Sequence, residues 1–480
     1  MKVASLIGRT QECAQLEECL EDSDAQLIVV YGRRRVGKTY LINEFFNNQF
    51  AFKVTGANEE GKDFQIQSFI EEFRRKGFTV SHDLKEWREV FFLLRDYLES
   101  LPRDEKQVVF FDEMPWLDSP GSDFLQVFEW FWNDWASTVR NLVFIVCGSA
   151  ASWMVDHFDR NKGGLFNRQT CRLYLKPFSL LETEEYLLSK NIRWSRYQIA
   201  ECYMIMGGIP YYLKQLSSRQ SFTENIDRIF FTDHGPLWDE FDHLFKTLFV
   251  NSEGHVKVVE KLSEKPGGMT RKEIAQKTKI GESGILTIIL NNLSLSGFVR
   301  ISTFYGKKKK DAKYQLSDYY TAFYFRFLKD RHGKDKSFWS HASDLPSRRV
   351  WSGLTFEQLC KDHIPQIRRK LGISGMLTEE FVWFTKEDPE LNLPGTQIDL
   401  VIDRRDQVVH LCEMKFSVNE FLIDKEYDAI LRNKLDAFQR KTKGRKTLLI
   451  TMITTFGVRK NMYSNLVQSE VVLDDLFCGP

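Results

Sequence analysis

Residues 26 to 46 constrain the fold more than any other stretch of the chain. Gln26-Leu27-Ile28-Val29-Val30-Tyr31 is a short β-branched apolar run, the composition of a strand buried on both faces. It passes directly into Gly32-Arg33-Arg34-Arg35-Val36-Gly37-Lys38-Thr39, and Tyr40-Leu41-Ile42-Asn43-Glu44-Phe45-Phe46 follows as an amphipathic helix. Strand, G-x-x-x-x-G-K-T, helix is an order with a physical purpose. Glycines let the backbone curl until successive N–H groups point at one anion, and the helix N-terminus adds its partial positive charge. Lys38 can then bridge the β- and γ-phosphates of a nucleoside triphosphate while the Thr39 hydroxyl coordinates Mg²⁺. The expected nucleotide contacts are Gly32, Arg33, Arg34, Arg35, Val36, Gly37, Lys38 and Thr39, with Tyr40 next in line. The predicted cofactors are ATP and Mg²⁺.

Two further strands support this reading. Gln107-Val108-Val109-Phe110-Phe111 ends in Asp112-Glu113, about 70 residues beyond the loop. A carboxylate at a strand end can hold the metal, and its neighbour can orient the attacking water; Asp112 takes the first role and Glu113 the second. The strand Asn141-Leu142-Val143-Phe144-Ile145-Val146-Cys147 ends at Gly148-Ser149-Ala150. Ser149 is the candidate sensor of the γ-phosphate or the attacking water, with a turn serine as the plainer alternative.

At 480 residues the chain is too long for one core, and roughly three domains are expected. Its longest apolar runs have strand length, so no membrane span is predicted. The first residues lack the apolar stretch of a signal peptide, and the eight Cys are scattered without C-x-x-C or metal-ligand spacing. The expectation is a cytoplasmic protein with no structural zinc. Aromatic residues reach 14%, which suits either large cores or stacking surfaces.

Past residue 235 the pattern changes. Thr270 and Glu273 are spaced as a capping box opening a helix, Ile280-Gly281 turns, and residues 283–295 form a second helix with Ile285, Ile288, Ile289 and Leu293 on one face. Gly297–Ile301 and Lys313–Leu316 read as two strands around a wing carrying Lys307, Lys308, Lys309 and Lys310. This is the pattern of a winged helix-turn-helix. Residues 270–336 hold 15 Lys/Arg against 6 Asp/Glu, a local charge of +9 in a chain whose total is +1. Positive charge concentrated on such a fold predicts DNA as a partner; the alternative is a solvated basic hairpin on a packing domain. Residues 317–350 read as a helix and linker.

The last part of the chain has its own charged pattern. Glu357 lies on an expected helix beginning at Trp351, and Phe381–Phe384 is an expected strand. Thr396–Ile402 and Val408–Lys415 form an expected hairpin turning at Asp403–Gln407. Asp399 interrupts an apolar strand, while Glu413 and Lys415, two apart, share a face. Buried charges cost several kcal/mol unless paired or on a metal. Asp399 and Glu413 can share a divalent cation while Lys415 stabilises a phosphorane or an attacking hydroxide. The pattern I-D…E-x-K resembles the restriction-endonuclease-like PD-(D/E)xK core, with Glu357 as its helix-borne acid and Ile398 in place of the usual proline. The structural alternative is a set of acids held in salt bridges, Glu413 with Lys415 among them.

Taken together, Ile7-Gly8-Arg9, GRRRVGKT, FFDEMPWLD, CGSAASWM, GGLFNR and GGIPYYL resemble the prokaryotic AAA+/STAND-type ATPases. The likeness is nearest to the branch that carries a winged helix and a C-terminal nuclease-like domain. It implies that Ile7, Gly8 and Arg9 lie beside the adenine and that Gly208-Ile209-Pro210 caps the base from a helical lid. It also implies that Arg168 is an arginine finger acting in cis or from a neighbouring copy in a homo-oligomer. The implied fold class is α/β throughout. The expected domains are a P-loop parallel-sheet ATPase core (1–177), a helical lid (178–235), a winged helix (236–330) and an α/β nuclease-like domain (345–480). Two functions fit: an ATPase coupling nucleotide state to a metal-dependent DNA nuclease, or a nucleotide switch whose C-terminal domain only binds a protein.

Overall fold

The computed structural model describes residues 6–80, 84–160, 164–249, 251–282, 284–307, 311–330, 334–390 and 393–479. The chain forms two compact units. The first comprises residues 1–177, 242–252 and 291–297; the second comprises 178–241, 253–290 and 298–480.

The first unit is built on five parallel strands: β1 (Gln26–Tyr31), β2 (Phe52–Thr55), β3 (Gln107–Asp112), β4 (Leu142–Gly148) and β5 (Cys171–Tyr174). Their order is β2-β3-β4-β1-β5. The central strands are buried along their length, save Tyr31 at the end of β1, which is why their sequences are continuous apolar runs rather than alternating ones. Phe52, Phe69, Phe91, Phe111, Phe128 and Phe144 fill one face with rings at tilted or edge-on angles. Each such burial contributes about 1.5–3 kcal/mol. Much of the aromatic content is therefore core. In the run Phe128–Trp135, Phe128, Phe131 and Trp132 point inward. One feature of the strand order positions the site: β4 lies between β1 and β3, so its C-terminal end falls between the loop after β1 and the acids ending β3.

The second unit contains helices and two sheets. Leu180–Ser189, Arg196–Met206 and Phe222–Ile226 each begin with a serine capping box. Strands β6 (Met269–Thr270), β7 (Val299–Ser302) and β8 (Lys313–Leu316) form an antiparallel sheet in the order β6-β8-β7. The helix Arg271–Thr278 opens with the expected Thr270/Glu273 capping box, and Gly284–Leu295 follows. The buried face of that second helix differs from the expectation. Leu286, Ile289, Leu290 and Leu293 are buried, whereas Ile285 and Ile288 are 65% and 59% exposed. The segment is apolar on two adjacent faces, so periodicity alone cannot choose between them.

The expected linker at 317–350 is also corrected. Phe323, Phe327, Trp339 and Trp351 pack edge to face in one buried cluster. The Asp227 carboxylate accepts from the Trp339 and Ser340 amides at 2.7 and 3.1 Å, fastening the segment to the neighbouring helices. A linker leaves no such rings buried.

Strands β9 (Thr378–Thr385), β10 (Thr396–Arg404), β11 (Val408–Lys415), β12 (Thr447–Thr454) and β13 (Val467–Val472) make a mixed sheet in the order β13-β12-β11-β10-β9. The β9-β10 and β10-β11 pairs are antiparallel, and the β11-β12 and β12-β13 pairs are parallel. The helix Pro346–Asp362 packs on β11, and Lys425–Thr442 on β10 and β12. No helix among the described residues is long and apolar enough to cross a membrane.

Candidate functional site

The loop after β1 is shaped by backbone that only some residues tolerate. Gly32 has φ +146°, and a Cβ there would lie 2.4 Å from the Leu175 carbonyl oxygen. Gly37 has φ +91° and begins the helix Lys38–Phe45. The loop curls around its own lysine. Lys38 is only 5% exposed, and its ammonium donates to the Gly32 and Arg33 carbonyls at 3.1 and 3.0 Å and to Ser149 Oγ at 3.0 Å. Arg9 reaches the same loop from outside, donating to the Val36 carbonyl at 3.1 Å while 4% exposed. The Arg34 guanidinium lies 5.9 Å from the Trp116 ring, and burial lowers its pKa.

The two strand-end acids occupy different environments. Asp112, 4% exposed, accepts from Thr39 Oγ1 at 3.1 Å. Burial pushes its carboxyl above the usual range and Glu113 adds to this, while Thr39 and Lys38 oppose it. Two hard oxygens 3.1 Å apart, on a carboxylate starved of solvent, suit a hard divalent cation. Glu113 sits at φ +47°, a strained left-handed conformation for a non-glycine residue. Its carboxylate accepts from the Ser149 amide at 3.0 Å and from Ser149 Oγ at 2.6 Å. The intervening position of β4 thus links Lys38 to Ser149 and Ser149 to Glu113.

The other candidates differ in exposure and in the unit that holds them. Tyr40 is 55% exposed, Ile7 and Gly8 are half-buried, and Arg168 is exposed at a turn where its amide donates to Leu165. Gly208 and Pro210 belong to the second unit. Gly208 has φ +65° and its Cβ would meet the Phe178 carbonyl at 2.2 Å; Pro210 opens the short helix Pro210–Leu213. Lys307 is exposed beyond β7, while Lys308, Lys309 and Lys310 lie outside the described residues.

In the C-terminal sheet Asp399 falls where the β9-β10 register shifts between Ile398 and Val401. Such a bulge re-aims a side chain. Leu400 pairs with Cys412, so Asp399 and Glu413 are the next residues along on neighbouring strands. The helix-borne Glu357 joins them. Its carboxyl is pushed up to about 7, first by burial and then by Asp399, with Lys361 and Lys415 opposing. Glu413, 2% exposed, is raised by burial and by Asp399 as well. Among the described residues no three His, Cys, Asp or Glu side chains converge tightly enough to hold a metal ion. Asp399 and Glu413, the former raising the latter, remain the donor pair that a cation would suit.

The structural alternative has Glu413 bridged to Lys415; Glu413 is in a salt bridge, but with Lys434. Lys434, from the helix Lys425–Thr442, contacts Glu413 Oε1, and the Tyr427 hydroxyl donates to Glu413 Oε2 at 3.1 Å. The Lys415 ammonium instead lies 5.3 Å from the Tyr427 ring. Sequence reading misses Lys434 and Tyr427, which lie on a helix whose charges look like a solvated face. It misses Lys361 too, although a position four residues after Glu357 on one helix is a usable signal.

A parallel sheet whose first strand feeds this loop, with paired acids ending β3 and a serine ending the strand between, defines a P-loop ATPase-type domain. Residues 6–216 match the family described as an ATPase domain predominantly from Archaea. Nucleotide binding and hydrolysis are the activities that this match supports. An uncharacterized protein of Methanocaldococcus jannaschii is 24% identical over 416 residues, covering 85% of this chain and 87% of its own length. An uncharacterized ATP-binding protein of the same organism is 43% identical over 47 residues, 10% of this chain and 80% of that protein. Among solved structures, a Walker-type ATPase of Pyrococcus abyssi is similar over 67% of this chain and 96% of its own, with 21% identity and a TM-score of 0.47.

Proposed function

We propose that this protein hydrolyses ATP, binds DNA, and couples its nucleotide state to a metal-dependent nuclease-like domain. The observation that carries the ATPase part is the hydrogen-bond chain Lys38–Ser149–Glu113 beside the Thr39–Asp112 pair. Hydrolysis breaks the bond between the γ-phosphorus and the β–γ bridging oxygen as water attacks, releasing ADP and phosphate. Lys38 neutralises phosphate charge, Glu113 orients the water and takes its proton, and Ser149 reports occupancy of the γ-position. Thr39 and Asp112 would hold Mg²⁺, which supplies neutralisation of charge on the phosphate oxygens. Arg168, being exposed, suits a finger supplied in cis or to a neighbouring copy. The resemblance implies base contacts from Ile7, Gly8 and Arg9 and from Gly208 and Pro210.

The antiparallel β6-β8-β7 sheet with its two helices supports a winged helix, and the local charge supports nucleic acid as its partner. Lys307 to Lys310 would contact phosphates. In the last sheet Asp399 and Glu413 would hold a divalent cation, which supplies Lewis-acid activation of the phosphodiester. Lys415 would stabilise the phosphorane or the attacking hydroxide, with Glu357 as the helix-borne acid of the site. A Mg²⁺- or Mn²⁺-dependent nicking assay tests this part. Activity in the wild type that Asp399→Ala and Lys415→Ala both abolish is the expected result. Equal traces in all three proteins would remove the nuclease.

The Glu413–Lys434 contact favours a second reading. If that pair is permanent, the sheet is a binding module and nucleotide state governs a protein partner. The ATPase rate with and without single- and double-stranded DNA discriminates the two: stimulation supports DNA work, and indifference supports the switch.

A further inference from the structure

The second unit contains a cleft of ≈ 700 Å³ bounded by β7, β8, the loop Glu264–Gly267 and the helix that bears Glu357. Glu357 is among its lining residues, and so is Gln397, whose side-chain amide lies 3.5 Å from Asp399 Oδ1. Five cations line it, Lys265, Arg300, Lys313, Arg326 and Lys361, against two acids, Glu264 and Glu357. Its walls also present flat apolar surface. Phe384 is 44% exposed and meets Phe304 edge-on with centroids 5.1 Å apart, and the Lys313 ammonium lies 4.9 Å from the Phe384 ring.

We propose that this cleft seats an unpaired nucleic-acid strand, its phosphates on these cations and a base against Phe384, and leads that strand to the carboxylate cluster. The cut rests on the nuclease reading; the binding does not. Size favours a single strand: one base pair of duplex, with its 3.4 Å rise and a diameter of roughly 20 Å, fills about 1,000 Å³, more than the ≈ 700 Å³ of the cleft. The chemistry agrees, because a basic groove with exposed aromatic faces takes unpaired bases by stacking and backbone by charge. The helix Gly284–Leu295, which would face a duplex groove in a winged helix, carries no Lys or Arg to neutralise phosphates. Two of the cleft cations already have acid partners at the rim, Lys265 with Glu273 at 2.7 Å and Arg300 with Asp362. Arg326 is exposed and can turn toward a phosphate, so it is the most informative residue to change.

The test is fluorescence anisotropy on the full chain in EDTA, with dT12, rU12 and a 12-base-pair duplex as probes. The dT12 and rU12 arms tell DNA from RNA. Either strand binding at least tenfold more tightly than the duplex is expected. Arg326→Glu should weaken the better strand about tenfold and lower its salt slope by about 0.7, since one phosphate is no longer neutralised. Phe384→Ala should weaken it five- to tenfold without changing the slope. Melting temperatures within about 2 °C of wild type confirm that both variants fold. Equal or tighter duplex binding, or wild-type strand affinity in both folded variants, overturns the cleft. A strand that binds but is not cut in Mg²⁺ or Mn²⁺ removes the nuclease and leaves the cleft. Cutting that survives both substitutions removes the cleft and leaves the nuclease.

Discussion

Ser149→Ala is the most informative single perturbation of the ATPase site. The Ser149 hydroxyl accepts from Lys38 at 3.0 Å and donates to Glu113 at 2.6 Å, so its loss removes two charge-assisted bonds at once. Lys38 keeps its two loop carbonyls, and Glu113 keeps the Ser149 amide. At about 1.5–3 kcal/mol for a bond to a charged group, with one hydroxyl serving both, the nucleotide-free domain should lose about 3 kcal/mol. For a domain of this size that lowers the melting temperature by roughly 6–12 °C. Turnover should fall about tenfold or more with ATP affinity nearly kept, because Lys38 and the loop still hold the phosphates. Ser149→Thr should recover much of both. Calorimetry without nucleotide and steady-state phosphate release together give the result. A Ser149→Ala protein that melts and turns over like wild type would falsify the linkage from Lys38 through Ser149 to Glu113.

Arg168→Ala should lower kcat at least tenfold while leaving ATP binding intact, and unchanged turnover removes it from the mechanism. Replacing Lys434 with Met should destabilise the second unit by about 3 kcal/mol, because Glu413 is left buried without its counter-charge, keeping only the Tyr427 hydroxyl. Recovery of part of that stability by Mn²⁺ supports a metal-competent pair, and no recovery assigns the acids to packing. His410 gives a pH signature. Burial and then Arg404 depress its pKa from 6.5 to about 4, with Nδ1 paired to Thr451 Oγ1 at 2.9 Å. The unfolded chain therefore takes up a proton that the folded one refuses. This contribution is fully present above pH 6.5 and is lost as pH falls from 6.5 toward 4, by at most about 3 kcal/mol. His410→Gln should flatten that part of the thermal stability profile; an unchanged profile contradicts it.

Where the sequence carries local signals, it locates the elements well. The run at Gln26–Tyr31, the Thr270/Glu273 cap and the hairpin of β10 and β11 are each dictated by neighbours in the chain. Ser149 is visible there only as a strand-end serine. What sets it between Lys38 and Glu113 is the position of β4 between β1 and β3, a non-local fact. The same holds in the last sheet, where Lys434 reaches Glu413 across 21 residues from a helix that reads as solvated. The buried face of Gly284–Leu295 is not legible because two adjacent faces are equally apolar and only packing selects one. The stretch 317–350 reads as a linker because its charges mask aromatic rings that find partners far along the chain.

Glu113→Gln tests the ATPase reading most directly, since it preserves shape and removes only the carboxylate that would orient the water. The measurement is ATP turnover and ATP affinity of the full chain, wild type against variant. Turnover reduced about a hundredfold or more, with affinity within a few-fold of wild type, is the predicted result. Undiminished turnover in Glu113→Gln would contradict it.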